Sequence, residues 1–308
     1  MSYSIKNTIA EEALPQLADN SVHLVVTDPP YFIDGMDDGW DPERIHKRKA
    51  RAKTIGGLPV GMRFNPKQGH NLQKFMEPIA AEVLRVLKPG GFFISFSQAR
   101  LIHRMSVAIE DQGFDIRDML AWTHNGQPKA QGQEHHVRRK LAAGKLTQDE
   151  ADAIIASMAG RKTPQLGPSL EPMVLAMKPV DGTFVDNWIT HETGLIDTSH
   201  SLDGRFPTNL MAVPRASKDE RGSFNTHLTV KPVRLIRHLI NIFSKPGQTV
   251  LDPFMGSGSH GVAALRAGRQ FIGFEPVPEY FEISRRRLDD EITPDAEERF
   301  LAAAEGCS

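Results

Sequence analysis

The chain has 308 residues, 40% hydrophobic and 24% charged, with a formal net charge of −1. That profile fits a globular chain long enough for one large α/β domain with insertions or for two smaller domains. The one cysteine, Cys307, is next to last, which argues against an internal disulfide, a thiolate metal cluster and a cysteine nucleophile in an ordered pocket. No metal centre is expected. No apolar run has signal-peptide or membrane-span length, so the expected location is cytoplasmic.

In chain order, Ile5–Asn7 reads as a short strand, Ala10–Leu17 as a helix and Val22–Thr27 as a buried strand. Gly35–Asn71 is rich in Gly, Pro and charge and reads as a long loop, a length that inside compact domains is usually functional or disordered. Leu72–Leu87 has helical spacing and stops at Lys88-Pro89-Gly90-Gly91, after which Phe92–Phe96 is a buried strand. A helix over Arg100–Gln112 and a strand over Met119–Trp122 come next. Gly126–Pro168 is polar and basic, with a helix at Thr147–Met158 opened by a Thr147/Glu150 capping box. Met173–Met177 is again strand-like, and Val180–Thr226 is irregular. Strand and helix then alternate: a helix from Pro232 to Phe243, a strand at Thr249–Leu251, a helix at Ser259–Ala267, a strand at Phe271–Phe274 and a helix at Glu279–Asp290. Such alternation predicts a mostly parallel sheet covered on both faces, with the irregular stretches inserted at one end.

The neutral total hides an uneven charge distribution. Arg44, Lys47, Arg48, Lys49, Arg51, Lys53 and Arg63 lie in one acid-free stretch, and Arg138, Arg139 and Lys140 form a second basic cluster. An acidic tail beyond Leu288 offsets them. Basic loops of this kind either neutralise phosphates or are simply solvated.

Two stretches carry chemistry. Asp28-Pro29-Pro30-Tyr31 directly succeeds the Val22–Thr27 strand. Two prolines end the strand and stiffen the turn beyond it, which leaves a fixed acceptor beside a flat ring at the sheet's carboxyl end. That suits a planar, amino-bearing ring such as a nucleobase; an ordinary strand-to-loop turn is the alternative. The second stretch, Asp252-Pro253-Phe254-Met255-Gly256-Ser257-Gly258, lies between a strand and a helix. Gly256, Gly258 and Gly261 satisfy GxGxxG, and Glu275 falls near the end of the next strand, the pattern of a nucleotide site with an acid for ribose hydroxyls. Asp252 faces a pyrophosphate unfavourably but suits a ligand bearing an ammonium or sulfonium group. S-adenosylmethionine has a ribose, an amino group and no phosphate.

With these two motifs in this order, about 220 residues apart, the chain resembles the β-class DNA amino-methyltransferases. Thr229-Val230-Lys231-Pro232 is similar to the segment leading into the helix before the cofactor loop, and Glu171-Pro172 through Lys178-Pro179 to a late antiparallel strand. The resemblance implies a Rossmann-like S-adenosylmethionine-dependent fold: α/β, with a mostly parallel central sheet, helices on both faces and inserted target-recognition segments. Residues 1–125 would form the catalytic half, 126–226 the target-recognition insertions around a strand at 173–177, 227–290 the cofactor-binding half and 291–308 an acidic tail.

The resemblance assigns catalysis to Asp28, Pro29, Pro30 and Tyr31. It assigns the cofactor to Asn7, Asp28, Lys231, Asp252, Pro253, Phe254, Gly256, Ser257, Gly258 and Glu275, with Glu275 on the ribose and Lys231 near the donor's carboxylate. Asn7 stands where the class usually has an acid, and His124 where it commonly has a lysine. Double-stranded DNA is the implied substrate, contacted by both basic clusters, and Trp40 and Phe32 are further candidates against the flipped base. A homodimer and a cognate restriction endonuclease are compatible with the resemblance.

Asp28 at the first motif position resembles the adenine-N6 enzymes, with cytosine-N4 transfer as the alternative. A catalytically silent, cofactor-binding protein and a Rossmann-type oxidoreductase are the readings from other classes. The latter conflicts with Asp252.

Overall fold

The computed structural model of the protein describes residues 2–31, 67–126, 130–164, 166–227 and 229–292. They fall into two compact units, one of residues 1–122 with 171–308 and one of residues 123–170.

The first unit is built on an eight-stranded sheet in the order β1-β8-β7-β2-β3-β5-β4-β6. The strands are β1 (Tyr3–Lys6), β2 (Val22–Thr27), β3 (Leu87–Phe96), β4 (Asp115–Thr123), β5 (Leu170–Met177), β6 (Leu210–Ala212), β7 (Thr249–Asp252) and β8 (Gln270–Phe274). The pairs β1–β8, β8–β7, β7–β2 and β2–β3 are parallel, whereas β5 runs antiparallel to β3 with Phe96 opposite Met173.

Side chains that alternate along the strands feed two cores. Leu24 and Val26 of β2, Phe92, Ile94 and Phe96 of β3 and Val250 of β7 face one core. Val25, Phe93 and Leu251 face the other. Helices close each side. The first core takes Leu235, Ile236, Leu239 and Ile240 of the helix Val233–Phe243, with Val262–Leu265 of the helix Ser259–Arg266. The second takes Leu72, Met76, Ile79 and Val83 of the helix Lys67–Val86, with Met105 and Ile109 of the helix Ile102–Glu110. A parallel sheet buried on both faces is the layer arrangement the alternation predicts.

Several boundaries differ from expectation. The predicted helix Ala10–Leu17 is an α-turn over Ala10–Ala13 and then a 3-10 turn over Leu14–Gln16 with Pro15 near its start, because proline has no N–H for the α ladder. Lys88–Gly91 is the opening of β3, not a linker: Lys178 donates its backbone N–H to the Gly91 carbonyl at 2.9 Å. Within the irregular stretch Val180–Thr226 lie β6, a turn of helix at Lys218–Arg221 and the helix Phe184–His191, whose Thr183/Asp186 capping box starts it. The unit of residues 123–170 holds the helices Glu134–Ala142 and Gln148–Ser157, the second with the predicted Thr147/Glu150 capping box.

Candidate active site

From β2 the chain steps to β3 on one side, and from β7 it steps to β8 on the other. The crevice at the carboxyl ends of β2 and β7 is therefore the switch point where open α/β sheets bind ligands. Parallel register, Val25 beside Leu251, brings both sequence motifs to that crevice. Asn7, Glu275, Asp252 and Asp28 lie at or just beyond the ends of β1, β8, β7 and β2, four adjacent strands.

Asp252 is completely buried and its carboxylate is fully engaged. One oxygen accepts from Thr27 Oγ1 at 2.6 Å and from the Phe254 N–H at 3.0 Å; the other is paired with His260 Nδ1. Asp252 thus ties β2, β7 and the glycine loop together. His260 and Thr27 were not singled out by sequence; neither belongs to a recognisable spacing pattern.

The loop backbone requires glycine. Gly258 has φ +80°, and a Cβ there would lie 2.9 Å from Ser284 Cβ; at Gly261 a Cβ would lie 2.7 Å from both Leu288 and Phe271. The loop is held from below by Arg287, a buried side chain that donates to the Ser257 carbonyl at 2.7 Å and to Ser259 Oγ at 3.1 Å.

Glu275 accepts from the Gly256 N–H at 3.0 Å and the Val277 N–H at 2.9 Å, and Asn7 Nδ2 donates to its carbonyl at 2.7 Å. Burial pushes its carboxyl up to about 7, against the pull of the two backbone donors. His227 sits against Gly256 and makes an edge contact with Tyr280 at 4.5 Å; burial pushes its imidazole down to about 4, so it is neutral at neutral pH.

The Asp28 cluster is the centre of the site. Lys231, only 5% exposed, pairs with Asp28 Oδ2 and lies 3.2 Å from Glu171 Oε2 and 3.4 Å from the Tyr31 hydroxyl. Tyr31 donates to the same Glu171 oxygen at 3.3 Å. The Phe96 ring lies beneath the ammonium, 4.9 Å from its centroid. Burial alone would push Lys231 down, but Asp28 and Glu171 outweigh it and hold the ammonium above its ordinary value. Burial raises the Tyr31 phenol well above its ordinary value, and both carboxylates add to this, so the ring stays neutral. Asp28 Oδ1 is buried with no hydrogen-bond partner. It is an acceptor waiting for a donor.

The profile of the N6/N4 DNA methylase family matches residues 22–286. The chain belongs to that family. A Type II methyltransferase of Haemophilus influenzae, M.HindIII, is 30% identical over 299 residues, covering 89% of this chain and 91% of that protein. M2.DpnII of Streptococcus pneumoniae, also a Type II methyltransferase, is 25% identical over 279 residues, covering 90% and 86%. Two solved structures share the fold. The cytosine-N4-specific PvuII DNA methyltransferase has a TM-score of 0.60 at 20% identity, covering 98% of this chain and 93% of its own. The M1.HpyAVI–SAM complex has a TM-score of 0.56 at 19% identity, covering 93% and 99%.

The protein is therefore a DNA methyltransferase of the N6/N4 type, with S-adenosylmethionine as methyl donor. The donor set fits that cofactor. Asp28 and Glu171 outnumber Lys231 at the crevice, which favours a sulfonium over a pyrophosphate.

The remaining predicted residues belong to other parts of the chain. Arg138, Arg139 and Lys140 are exposed on the helix Glu134–Ala142, in the unit of residues 123–170. His124 is buried, and its backbone N–H donates to the Ser169 carbonyl at 2.9 Å. Phe32, Trp40 and the basic stretch Arg44, Lys47, Arg48, Lys49, Arg51, Lys53 and Arg63 lie outside the described residues, as does the acidic tail beyond Ile292. Among the described residues, no helix is long and apolar enough to cross a membrane.

Proposed function

We propose that this methyltransferase acts on the N6 amine of adenine in double-stranded DNA, by flipping the base and transferring the methyl group directly. The carrying observation is the Asp28 carboxylate: one oxygen is fixed by Lys231, the other is buried and free to accept. An aspartate in the first motif position, as in the adenine-N6 enzymes the motif resembles, supports the choice of base.

An exocyclic amine is a poor nucleophile because its lone pair is delocalised into the ring. Asp28 Oδ1 and the Pro29 carbonyl accept its two hydrogens, draw the nitrogen towards tetrahedral geometry and localise the pair. S-adenosylmethionine supplies a methyl group activated by its sulfonium sulfur. The nitrogen forms the new bond in line with the breaking sulfur–carbon bond, whose electrons stay on sulfur, and a proton leaves the nitrogen. Positioning and electrostatics carry the step. Tyr31 stacks on the flipped ring, worth about 1–3 kcal/mol, and its chain carbonyl is held by Gln98 Nε2.

In this reading the donor's ribose meets Glu275, its adenine lies near Asn7, and Pro253, Phe254, Gly256, Ser257 and Gly258 line it. Asp252 shapes that lining from beneath. Lys231 serves Asp28 in the described state. The basic clusters contact phosphate and the inserted segments read the sequence. The test is tritium transfer from labelled cofactor to DNA. Asp28→Ala should abolish transfer with cofactor affinity near normal; substantial residual transfer would overturn the role of Asp28.

A further inference from the structure

We propose that Glu171 is the second carboxylate of the methyl-transfer site, a positioning residue that shares the Lys231 ammonium and fixes the Tyr31 hydroxyl so that Asp28 keeps an uncompensated oxygen for the target amine. The inference rests on the reading of Asp28 given above. Glu171 lies about 140 residues from the catalytic motif, and no spacing pattern connects the two. The fold makes the connection. Because β5 runs antiparallel to β3, its first residues arrive beside the carboxyl ends of the parallel strands, and Ser97 anchors them there by donating to the Pro172 carbonyl at 3.0 Å.

The electrostatic argument is one of charge balance. Asp28 and Lys231 alone would form a closed, neutral pair, and an acceptor whose charge is matched by an adjacent ammonium is weak. Glu171, 3.2 Å from the same ammonium, gives the three groups a net charge of about −1. That charge faces the nitrogen on which positive charge grows during transfer. The 3.3 Å bond from Tyr31 to the same Glu171 oxygen holds the ring's hydroxyl edge, and hence its stacking plane. Phe96 beneath the ammonium closes the cluster to water on that side.

The groups facing Lys231 are Asp28 and Tyr31 from the end of β2, Glu171 from β5 and neutral His227 from its own segment. With Glu171 neutralised, one of the two charges that hold Lys231 above its ordinary value is lost and burial acts more strongly against the ammonium.

Glu171→Gln and Glu171→Asp separate charge from shape. In the full-length protein, single-turnover transfer of tritiated methyl groups to unmethylated bacterial genomic DNA is measured across pH, beside equilibrium binding of S-adenosylmethionine. Glu171→Gln should slow transfer about 10- to 100-fold, leave cofactor affinity within about twofold and make the rate rise with pH where wild type is flat, as Lys231 gives up its proton and the charge on Asp28 is no longer matched. Glu171→Asp should recover most of the rate. A Gln variant with wild-type rate and pH profile would overturn the inference. So would equal losses in both variants, or a loss carried by cofactor affinity. A wild-type protein that binds cofactor but labels no DNA would instead refute the underlying reading, and this inference with it.

Discussion

Glu275 gives the sharpest quantitative prediction. Burial raises its carboxyl from 4.5 to about 7, which corresponds to about 3 kcal/mol of differential stability between the two protonation states. A carboxyl raised in the folded state favours folding fully below its unfolded value. That contribution is lost as pH rises through the folded value, so it falls between about pH 4.5 and 7 and is absent above. Glu275→Gln removes the titration and, with it, the cost of the buried charge. The amide keeps one acceptor for the Gly256 and Val277 N–H groups, which both bond the carboxylate, and losing the other costs about 1–2 kcal/mol. The variant should therefore be about 1–2 kcal/mol more stable than wild type near pH 8 and less stable by about the same amount near pH 4.5. Urea unfolding monitored by tryptophan fluorescence at several pH values measures the difference directly. A stability difference that does not change with pH would refute the reasoning. The same variant should weaken S-adenosylmethionine binding if Glu275 holds the ribose; unchanged affinity would remove that assignment.

Gly258→Ala forces a side chain onto φ +80° and to within 2.9 Å of Ser284 Cβ. It should cost about 2–5 kcal/mol from backbone strain and overpacking; a loss below about 1 kcal/mol in urea unfolding would contradict the packing described. Replacing Arg138, Arg139 and Lys140 by alanine should reduce the salt dependence of DNA binding by a slope of about 3 if all three contact phosphate. An unchanged slope would take that helix out of the interface.

The parts of this protein legible in sequence are those whose chemistry is local. The Asp28 and Asp252 motifs each sit at a strand's end, and proline and glycine mark where the strand stops. The sheet's core strands were legible because residues 22–27, 92–96 and 173–177 are apolar on both faces. The basic helix Glu134–Ala142 was not, since only Val137 is buried and no apolar period exists to see. Phe184–His191 escaped for a related reason: Phe184, Val185 and Ile189 remain exposed, so its residues carry no core-facing stripe. Strand β4 extends back from the expected start at Met119 to Asp115 through an exposed, charged segment with no buried apolar face to mark it. Within the site, Lys231 was found by resemblance, but its pairing with Asp28 and Glu171 depends on three segments meeting in the fold.

The most direct test of the account is to identify the modified base. DNA from cells expressing the wild-type protein, digested to nucleosides and sequenced for methylation, should contain N6-methyladenine at a defined sequence, and DNA from cells expressing Asp28→Ala should contain none. Methyl groups on N4 of cytosine would contradict the adenine assignment, and unmodified DNA from a protein that binds S-adenosylmethionine would contradict the proposed catalytic site itself.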